Sequence, residues 1–298
     1  MPLLTSAADW EHIFKARDRV VELHEALGDY NRACGHEPRP GSQASTDLHA
    51  CCDAELVLTL QSRAARLLEA AADHVSLFLK AITNPGQAIA AWTCVRGGLE
   101  AAASACWLLD STADARERLA RVFALRYEGI VEQRKLGLAN GDATVVERAR
   151  VRLAEIKTQA ISAGIPSRMS QKGEIIGIGR DWLGPTQLVQ RVFGEEAQYR
   201  LLSAVAHGHD WAYLGLGFRI EKQGPRAVTV KDLHPSSATI LLILAIRSLT
   251  APVWARADYF GWDRQGLRQI LDAAFDDIGV AAGEKYRPWV TFTTEDSG

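Results

Sequence analysis

The chain has 298 residues, of which 47% are hydrophobic and 23% are charged, and its formal net charge is -2. This composition supports a substantial core and excludes wholesale disorder, and the length allows one large domain or two small ones. The balanced charge gives no overall signature of a nucleic-acid binder, although a local basic patch is compatible with it. Five cysteines, an odd number in a long chain, favour a reduced cytoplasmic protein over a disulfide framework.

Neither a membrane span nor an export signal is predicted. A transmembrane helix needs roughly 18 apolar residues without nearby charges, and the apolar segment around 86–109 is interrupted by Arg96 and Glu100. The first residues lack the basic segment followed by an apolar one that marks a secretory signal. We therefore expect a cytoplasmic protein with no membrane partner.

Apolar residues recur at helical spacing in the first quarter of the chain. The first amphipathic helix is predicted over about 7–28 and ends at a Gly-Asp pair. Residues 35–47, which are rich in Pro, Gly and Ser, are predicted to form a loop. A long helix is then predicted over about 48–82, and the Asn-Pro-Gly sequence at 84–86 ends it.

The next predicted helix, over about 86–109, is apolar on all sides apart from Arg96 and Glu100. A helix with this pattern is normally buried on all sides. The two charges are four residues apart, so they share one face and can pair, and burying either charge alone would be costly. Two interpretations follow: a structural ion pair that fixes how helices pack, or an interior polar pocket that the pair lines together with Ser203 and His207.

Two charged amphipathic helices, over about 113–138 and 143–163, predict a helical hairpin with a solvated face. Ser111 or Thr112 can cap the first of them. Glycines and basic residues dominate 164–184, which predicts a long exposed loop that could act as a lid. The basic residues of this region form either an RNA-facing surface or a solvated face: Arg148, Arg150, Arg152, Lys157, Arg168, Lys172 and Arg180.

Helical periodicity resumes over about 185–206. The segments 214–222 and 227–231 flank a Gly-Pro turn and predict a β-hairpin, and two helices follow over about 236–257 and 263–281. The predicted fold class is therefore mainly α, a helical bundle with a small β-hairpin inserted before the last two helices. We divide the chain into an N-terminal helix and loop, a bundle and a C-terminal tail: 1–47, 48–283 and 284–298.

The segment 199–210 carries the strongest functional pattern. At 3.6 residues per turn, Arg200, Ser203, His207 and Asp210 fall close to one stripe of a helix. An imidazole can take a proton from an RNA 2′-hydroxyl or give one to a leaving 5′-oxygen, and a guanidinium can hold phosphate oxygens. Seven positions along a helix span about 10.5 Å. Both groups therefore reach one phosphate only if Arg200 extends along the helix or a second subunit completes the site.

Arg200 and His207, with six residues between them, resemble the Arg-x(4–6)-His motif of the HEPN superfamily, and the similarity covers about residues 50–260. In that family a polar residue often follows the Arg, where this chain has Leu201. The resemblance implies a helical-bundle protein of a prokaryotic defence or toxin system that cleaves RNA without a metal. It also implies a homodimer in which two motifs meet.

By this resemblance His207 is the proton-transfer group and Arg200 is the phosphate clamp, with RNA as the partner and no cofactor. Further polar residues are expected to line or orient the site: Arg96, Glu100, Tyr199, Ser203, His209 and Asp210. Two alternatives stay open. His207 can instead be a helix-terminal histidine that interacts with the last carbonyls, and the bundle can be a non-catalytic binder of a small ligand or a partner protein.

Two close pairs, Cys34 with His36 and His49 with Cys51, have a spacing that can imitate a zinc site. The alternative is free thiols beside solvent-facing histidines. The sequence contains no Walker loop, no nucleophile elbow and no dinucleotide fingerprint. No cofactor is therefore predicted, and no metal is assigned to the site around His207.

Overall fold

A computed structural model describes residues 7–50, 54–83, 87–172, 175–215, 219–223, 226–230 and 233–282. Within these ranges the helices are α1 (Ala7–Cys34), α2 (Gln43–Ala50), α3 (Ala54–Ala81), α4 (Ala88–Leu108), α5 (Ala115–Ala139), α6 (Ala143–Ser162), α7 (Pro185–Phe193), α8 (Glu196–Ala206), α9 (Asp210–Gly215), α10 (Pro235–Phe260) and α11 (Arg264–Ala282). The strands are β1 (Ser167–Met169), β2 (Ile175–Ile178), β3 (Arg219–Gln223) and β4 (Arg226–Val230). The predicted fold class, a mainly α bundle with a hairpin before the last two helices, is confirmed.

Helix α4 lies at the centre of the bundle. It packs against α3 along its length and against α10, α7 and α8 on its other sides. Its large residues Trp92, Val95 and Leu99 are almost completely buried, and its many alanines let the neighbouring helices approach closely. The prediction that this helix is buried on all sides holds for most of its length, but Ala90 and Thr93 are exposed and the Arg96 and Glu100 side chains are partly exposed.

Helix α1 packs on α11 and α10, and its buried residues share one core with those of α4 and α10. The predicted end of this helix at Gly28 is wrong, because α1 continues to Cys34. Tyr30 explains the extension. Its ring is buried, and its hydroxyl donates to the carbonyl of Asp263 at 2.9 Å, so tertiary contacts outweigh the low helix propensity of glycine.

The predicted loop over 35–47 is partly helical, since α2 begins at Gln43. The Ser42 hydroxyl accepts the backbone N–H of Ser45 at 3.2 Å, which is an N-cap contact. Helix α2 carries Asp47 into the core, where it accepts hydrogen bonds from Arg118 of α5 and from the Tyr259 hydroxyl of α10. This buried network joins three helices that are distant in the sequence.

The predicted long loop over 164–184 contains a hairpin. Strands β1 and β2 pair antiparallel, with Ser167 opposite Ile178, and the Tyr127 hydroxyl of α5 donates to the carbonyl of Ile175 at 2.9 Å. The segment is therefore held against α5. Beyond it, β3 and β4 pair in regular antiparallel register, as predicted, although the predicted Gly-Pro turn lies outside the described residues.

Among the described helices, α10 is long and apolar enough, by length and composition alone, to cross a membrane, and most of its apolar stretch is buried inside the bundle. Such a composition is weak support for a span, because the central helix of a core has it too. The predicted absence of a membrane partner stays a prediction, as does the division into three regions. The predicted tail, 284–298, lies outside the described residues.

Candidate functional site

Four side chains from α4 and the end of α8 meet in one hydrogen-bonded group, which we call the Arg96–His207 cluster: Arg96, Glu100, Tyr199 and His207. Arg96 Nε donates to Glu100 Oε1 at 2.8 Å, and the Tyr199 hydroxyl donates to the same oxygen at 2.6 Å. Arg96 Nη1 lies 3.4 Å from His207 Nε2. The two ends of the cluster are therefore linked through the Arg96 guanidinium.

The packing of α8 against α4 produces this arrangement. Tyr199 near the start of α8 meets Glu100, and His207 just past its end meets Arg96, which lies one turn earlier on α4. The pocket interpretation expected Arg96 and Glu100 to meet His207, although no local pattern fixes a contact between residues 111 positions apart.

The predicted helix over 185–206 is in fact two helices. Gly194, with φ 72°, ends α7 in a left-handed conformation that favours glycine, and α8 starts at Glu196. Glu195 in the junction pairs with Arg247 of α10. The break therefore sets the direction of α8 independently of α7, and this direction brings Tyr199 and His207 to α4.

The end of α8 is a Schellman turn that displays two histidines. His207 is the C-cap residue, and Gly208 follows in the left-handed conformation with φ 74°. The N–H of Gly208 donates to the Val205 carbonyl at 3.1 Å and the N–H of His209 donates to the Ala204 carbonyl at 3.0 Å, which is the bonding pattern of this motif. Both histidines are exposed, and their ring centroids are 6.5 Å apart.

Charge within the cluster is stabilised by its own hydrogen bonds. Burial, the hydrogen bond to Glu100 and the negative charge of that carboxylate raise the pKa of Tyr199 to about 12, so the phenol stays neutral near pH 7. Burial opposes the charge of Arg96, but the Tyr199 hydroxyl and the Glu100 carboxylate outweigh it and raise the pKa of the guanidinium. Arg96 is therefore a fixed cation and Tyr199 a fixed donor.

The Arg96–Glu100 pair was given two interpretations, a structural ion pair and the lining of an interior pocket. The pair exists, and its side chains are 23% and 31% exposed. Arg96 of this pair meets His207, as the pocket interpretation expects, and the cluster lies at a partly open junction of α4 and α8. The solvent-facing side of the cluster is formed by His207.

The structure does not bring Arg200 to this cluster. Its guanidinium pairs with Glu196 at 2.8 Å, one turn earlier on α8, and its side chain is 66% exposed. Ser203 is half-buried, and its carbonyl accepts the His207 backbone N–H at 3.0 Å. Asp210 is exposed at the start of α9. The predicted stripe of polar residues is thus divided between the cluster and the open surface.

The predicted zinc ligands are not gathered. Cys34 is half-buried at the end of α1, and His36 is exposed. His49 is also exposed, with its Nδ1 2.6 Å from the Ser45 carbonyl. Cys51 lies outside the described residues. Across the described ranges no group of three or more His, Cys, Asp or Glu side chains could hold a metal ion, so Cys34, His36 and His49 do not form one.

Much of the predicted basic surface is paired with other side chains. Arg150 pairs with Glu147, Arg168 with Asp181 and Arg180 with Glu117 of α5. These pairs reduce the free positive charge that an RNA-facing surface would offer.

Two features near the cluster were missed or left undecided by sequence reasoning. The His74 ring of α3 lies against Gly97, where an added Cβ would be 2.7 Å from the imidazole, so a third histidine packs beside the residue that follows Arg96. Trp211, which follows the two histidines, is 61% exposed. By contrast, Trp182 packs edge-on against Trp107 with centroids 6.0 Å apart.

Comparisons of the chain with protein-family models, with curated proteins and with solved structures give no match. The HEPN resemblance therefore stays a prediction that rests on Arg200 and His207.

Proposed function

We propose that the protein is a HEPN-like ribonuclease that cleaves RNA without a metal, with His207 and His209 as the proton-transfer groups and Arg96 as the phosphate anchor. The observation that supports this proposal is the meeting of a guanidinium and an exposed imidazole from two distant helices at the end of α8. Arg96 takes the role that the motif alone gives to Arg200.

Arg96 is suited to hold a phosphate. Glu100 binds its Nε, which fixes the guanidinium plane and directs Nη1 towards the exposed His207. The 3.4 Å contact with His207 is longer than the usual 2.9–3.0 Å of an N–H hydrogen bond, so a phosphate oxygen can replace it at small cost. A phosphate bound there would lie directly beside the imidazole.

The two histidines provide an acid and a base. The two rings are edge-on with centroids 6.5 Å apart, so one phosphodiester can lie against both of them. One neutral imidazole removes the proton of the 2′-hydroxyl, and the 2′-oxygen attacks the phosphorus. The other, protonated imidazole gives its proton to the 5′-oxygen as the P–O5′ bond breaks. The products are a 2′,3′-cyclic phosphate and a 5′-hydroxyl, and Arg96 stabilises the negative charge of the transition state.

Arg200 is placed for an outer contact. Its exposed guanidinium can meet a neighbouring phosphate of the same strand or the site of a second subunit. The homodimer implied by the HEPN resemblance would make the second arrangement available, and a defence or toxin role would follow from cleavage of cellular RNA. Growth arrest on expression of the wild type, relieved by His207→Ala, is the expected cellular result.

The decisive assay measures cleavage of several fluorescently labelled single-stranded RNAs in the presence of EDTA. We expect the wild type to cleave them, and His207→Ala and His209→Ala to lose about 10²- to 10⁴-fold in rate, as the loss of a general acid or base does. Arg96→Met should lose activity as well, and Arg200→Ala should lose less. His49→Ala removes an exposed histidine from α2 and is the matched control.

Product analysis makes the assay specific. Cyclic phosphate ends are expected, because the attacking oxygen is the 2′-oxygen of the substrate. A wild type that leaves diverse RNAs intact would contradict the proposal, and so would cleavage that persists at full rate in His207→Ala. Thermal melts of each variant separate loss of chemistry from loss of fold.

A second candidate is a non-catalytic protein that binds an anionic ligand through the same cluster. The monodentate pairing of Arg96 with Glu100 favours it, because a partly neutralised cation suits reversible binding. RNA that is bound at the cluster but never cleaved, with binding lost in Arg96→Met, would select this candidate.

A further inference from the structure

We propose that Trp211 stacks on an unpaired nucleobase next to the phosphate at the Arg96–His207 cluster, which makes single-stranded RNA the substrate class. This inference rests on the proposed function and identifies which form of RNA the site accepts.

Trp211 differs from the other tryptophans of the described ranges. Its side chain is 61% exposed, whereas Trp92, Trp107 and Trp262 are at most 4% exposed. The remaining described tryptophans are half-buried and contact other side chains: Trp10 against Phe14, Trp182 against Trp107 and Trp254 under Arg264. Trp211 is thus the one indole in this part of the chain that offers an open ring face to a ligand.

The helix that carries Trp211 is anchored by the two residues that follow the indole. Ala212 is completely buried, and the Tyr213 hydroxyl donates to the Val205 carbonyl of α8 at 3.0 Å. These contacts tie α9 to the end of the helix that displays the two histidines. The backbone that carries Trp211 is therefore held in place while the indole itself stays in solvent, a combination suited to a stacking platform.

The spacing from the histidines fits one nucleotide. Trp211 is two residues beyond His209, so their Cα atoms are at most about 7 Å apart. At that backbone separation the exposed indole is available to a base of the nucleotide whose phosphate contacts the two histidines. Asp210 between them is acidic and exposed, so a neutral base is favoured over a second phosphate at this position.

Stacking on a protein ring requires a base that has left its own stack. Bases in an RNA duplex are paired and stacked on both faces, and side chains read them poorly, whereas unpaired bases can lie against aromatic side chains. A platform beside the cleavage site would therefore select single-stranded segments with little preference among bases.

The test measures equilibrium binding of the wild type to a labelled 2′-O-methyl RNA single strand, which cannot be cleaved because the 2′-oxygen is blocked. Trp211→Ala should weaken binding about tenfold or more, which corresponds to the loss of one stacked base, and Trp211→Phe should retain most of it. Leu136→Ala removes an equally exposed apolar side chain from α5 and should bind as the wild type does. A duplex of the same sequence should bind more weakly and be indifferent to Trp211.

The outcomes separate this inference from the proposed function. If Trp211→Ala binds the single strand as tightly as the wild type, the stacking role is overturned, whether or not RNA is cleaved. If binding depends on Trp211 but the wild type cleaves no RNA, stacking stands and the ribonuclease proposal fails. If the wild type does not bind the single strand at all, both are overturned.

Discussion

Arg118 is completely buried, and its guanidinium donates to both carboxylate oxygens of Asp47 at 2.8 and 2.7 Å. A third donor, the Tyr259 hydroxyl, reaches the same carboxylate at 2.9 Å. These three hydrogen bonds compensate the cost of burying the Asp47 charge, and removing a partner leaves that cost uncompensated. This network is not part of the candidate site. Its role is to hold α2, α5 and α10 together.

Arg118→Met should reduce the free energy of unfolding by about 3–5 kcal/mol, the usual loss when a buried charge is left without its partner. Urea unfolding measures this loss. Arg150→Met is the matched control, because it breaks an exposed pair with Glu147, and its urea midpoint should barely move. Equal, small effects of the two substitutions would show that the buried network does not stabilise the fold.

The raised pKa of Tyr199 leads us to expect a loss of stability at alkaline pH. An unfolded tyrosine loses its proton near its usual pKa of about 10, whereas in the folded protein the pKa of Tyr199 is raised to about 12. Between these values the unfolded state binds fewer protons, so the free energy of unfolding falls as pH rises. Below the unfolded pKa the contribution of Tyr199 is fully present.

Urea unfolding of the wild type and Tyr199→Phe, from about pH 9 to about pH 11, measures this contribution. The wild type should lose stability more steeply than the variant over this interval. Parallel curves for the two proteins would contradict the assignment of a buried, Glu100-bound phenol.

At the scale of the elements, Gly179, just after the β1–β2 hairpin, lies directly against the backbone of α5. It has φ 75°, and a Cβ added there would lie 2.1 Å from the Ala120 carbonyl oxygen of α5. Gly141, between α5 and α6, also has a positive φ, of 66°, but no atom lies within 4 Å of its added Cβ. The two glycines therefore separate backbone strain from steric overlap.

Gly141→Ala should cost roughly 1–2 kcal/mol, the penalty of a left-handed conformation for an L-residue. Gly179→Ala should cost a further 1–3 kcal/mol or so, because the backbone of α5 must move away. Chemical unfolding of both variants gives the comparison. Equal losses would show that the hairpin moves freely off α5.

The helix boundaries were predicted well where hydrophobic periodicity determines them. They were predicted poorly where tertiary contacts determine them. The helices α4, α5, α6, α10 and α11 fall close to their predicted ranges. Four predictions differ from the structure for a physical reason: α1 runs through Gly28 because Tyr30 is anchored, the loop over 35–47 contains a helix that buries Asp47, the loop over 164–184 contains a hairpin held by Tyr127, and the helix over 185–206 breaks at Gly194. The same regions contribute to the core and to the candidate site.

At the scale of the whole molecule, α4 and α10 lie inside the bundle, while the far end of the α5–α6 hairpin extends from it. Residues near the hairpin tip, among them Leu136, Leu138 and Val151, are exposed, and α6 packs mainly on α5. Burial and protection from local opening go together. The molecule should therefore be least stable locally at this tip.

Hydrogen exchange measured by mass spectrometry tests this expectation. Amides of α4 and α10 should exchange slowest, and amides around the turn between α5 and α6 should exchange fastest among the described helices. Slow exchange at the turn would show that another surface, such as a second subunit, covers it, and this would bear directly on the predicted homodimer.

The candidate site was also predicted only in part, because its residues come from different helices. Spacing along one helix put Arg96 with Glu100, and it put Tyr199 on a helix that ends at His207, because residues four apart share a face whatever surrounds them. It also placed Arg200 beside His207 on one stripe, although Arg200 pairs with Glu196 and stays in solvent. No local rule relates Arg96 to His207.

The sequence by itself determined the helical class, the buried character of α4 and the position of the β3–β4 hairpin, since each follows from periodicity and composition within a short stretch. The tertiary structure alone decided that α8 packs against α4, that Arg96 meets His207, and that Asp47, Arg118 and Tyr259 share one buried network. These contacts depend on how helices pack across large separations in the chain, and packing is set by all the elements of the core together.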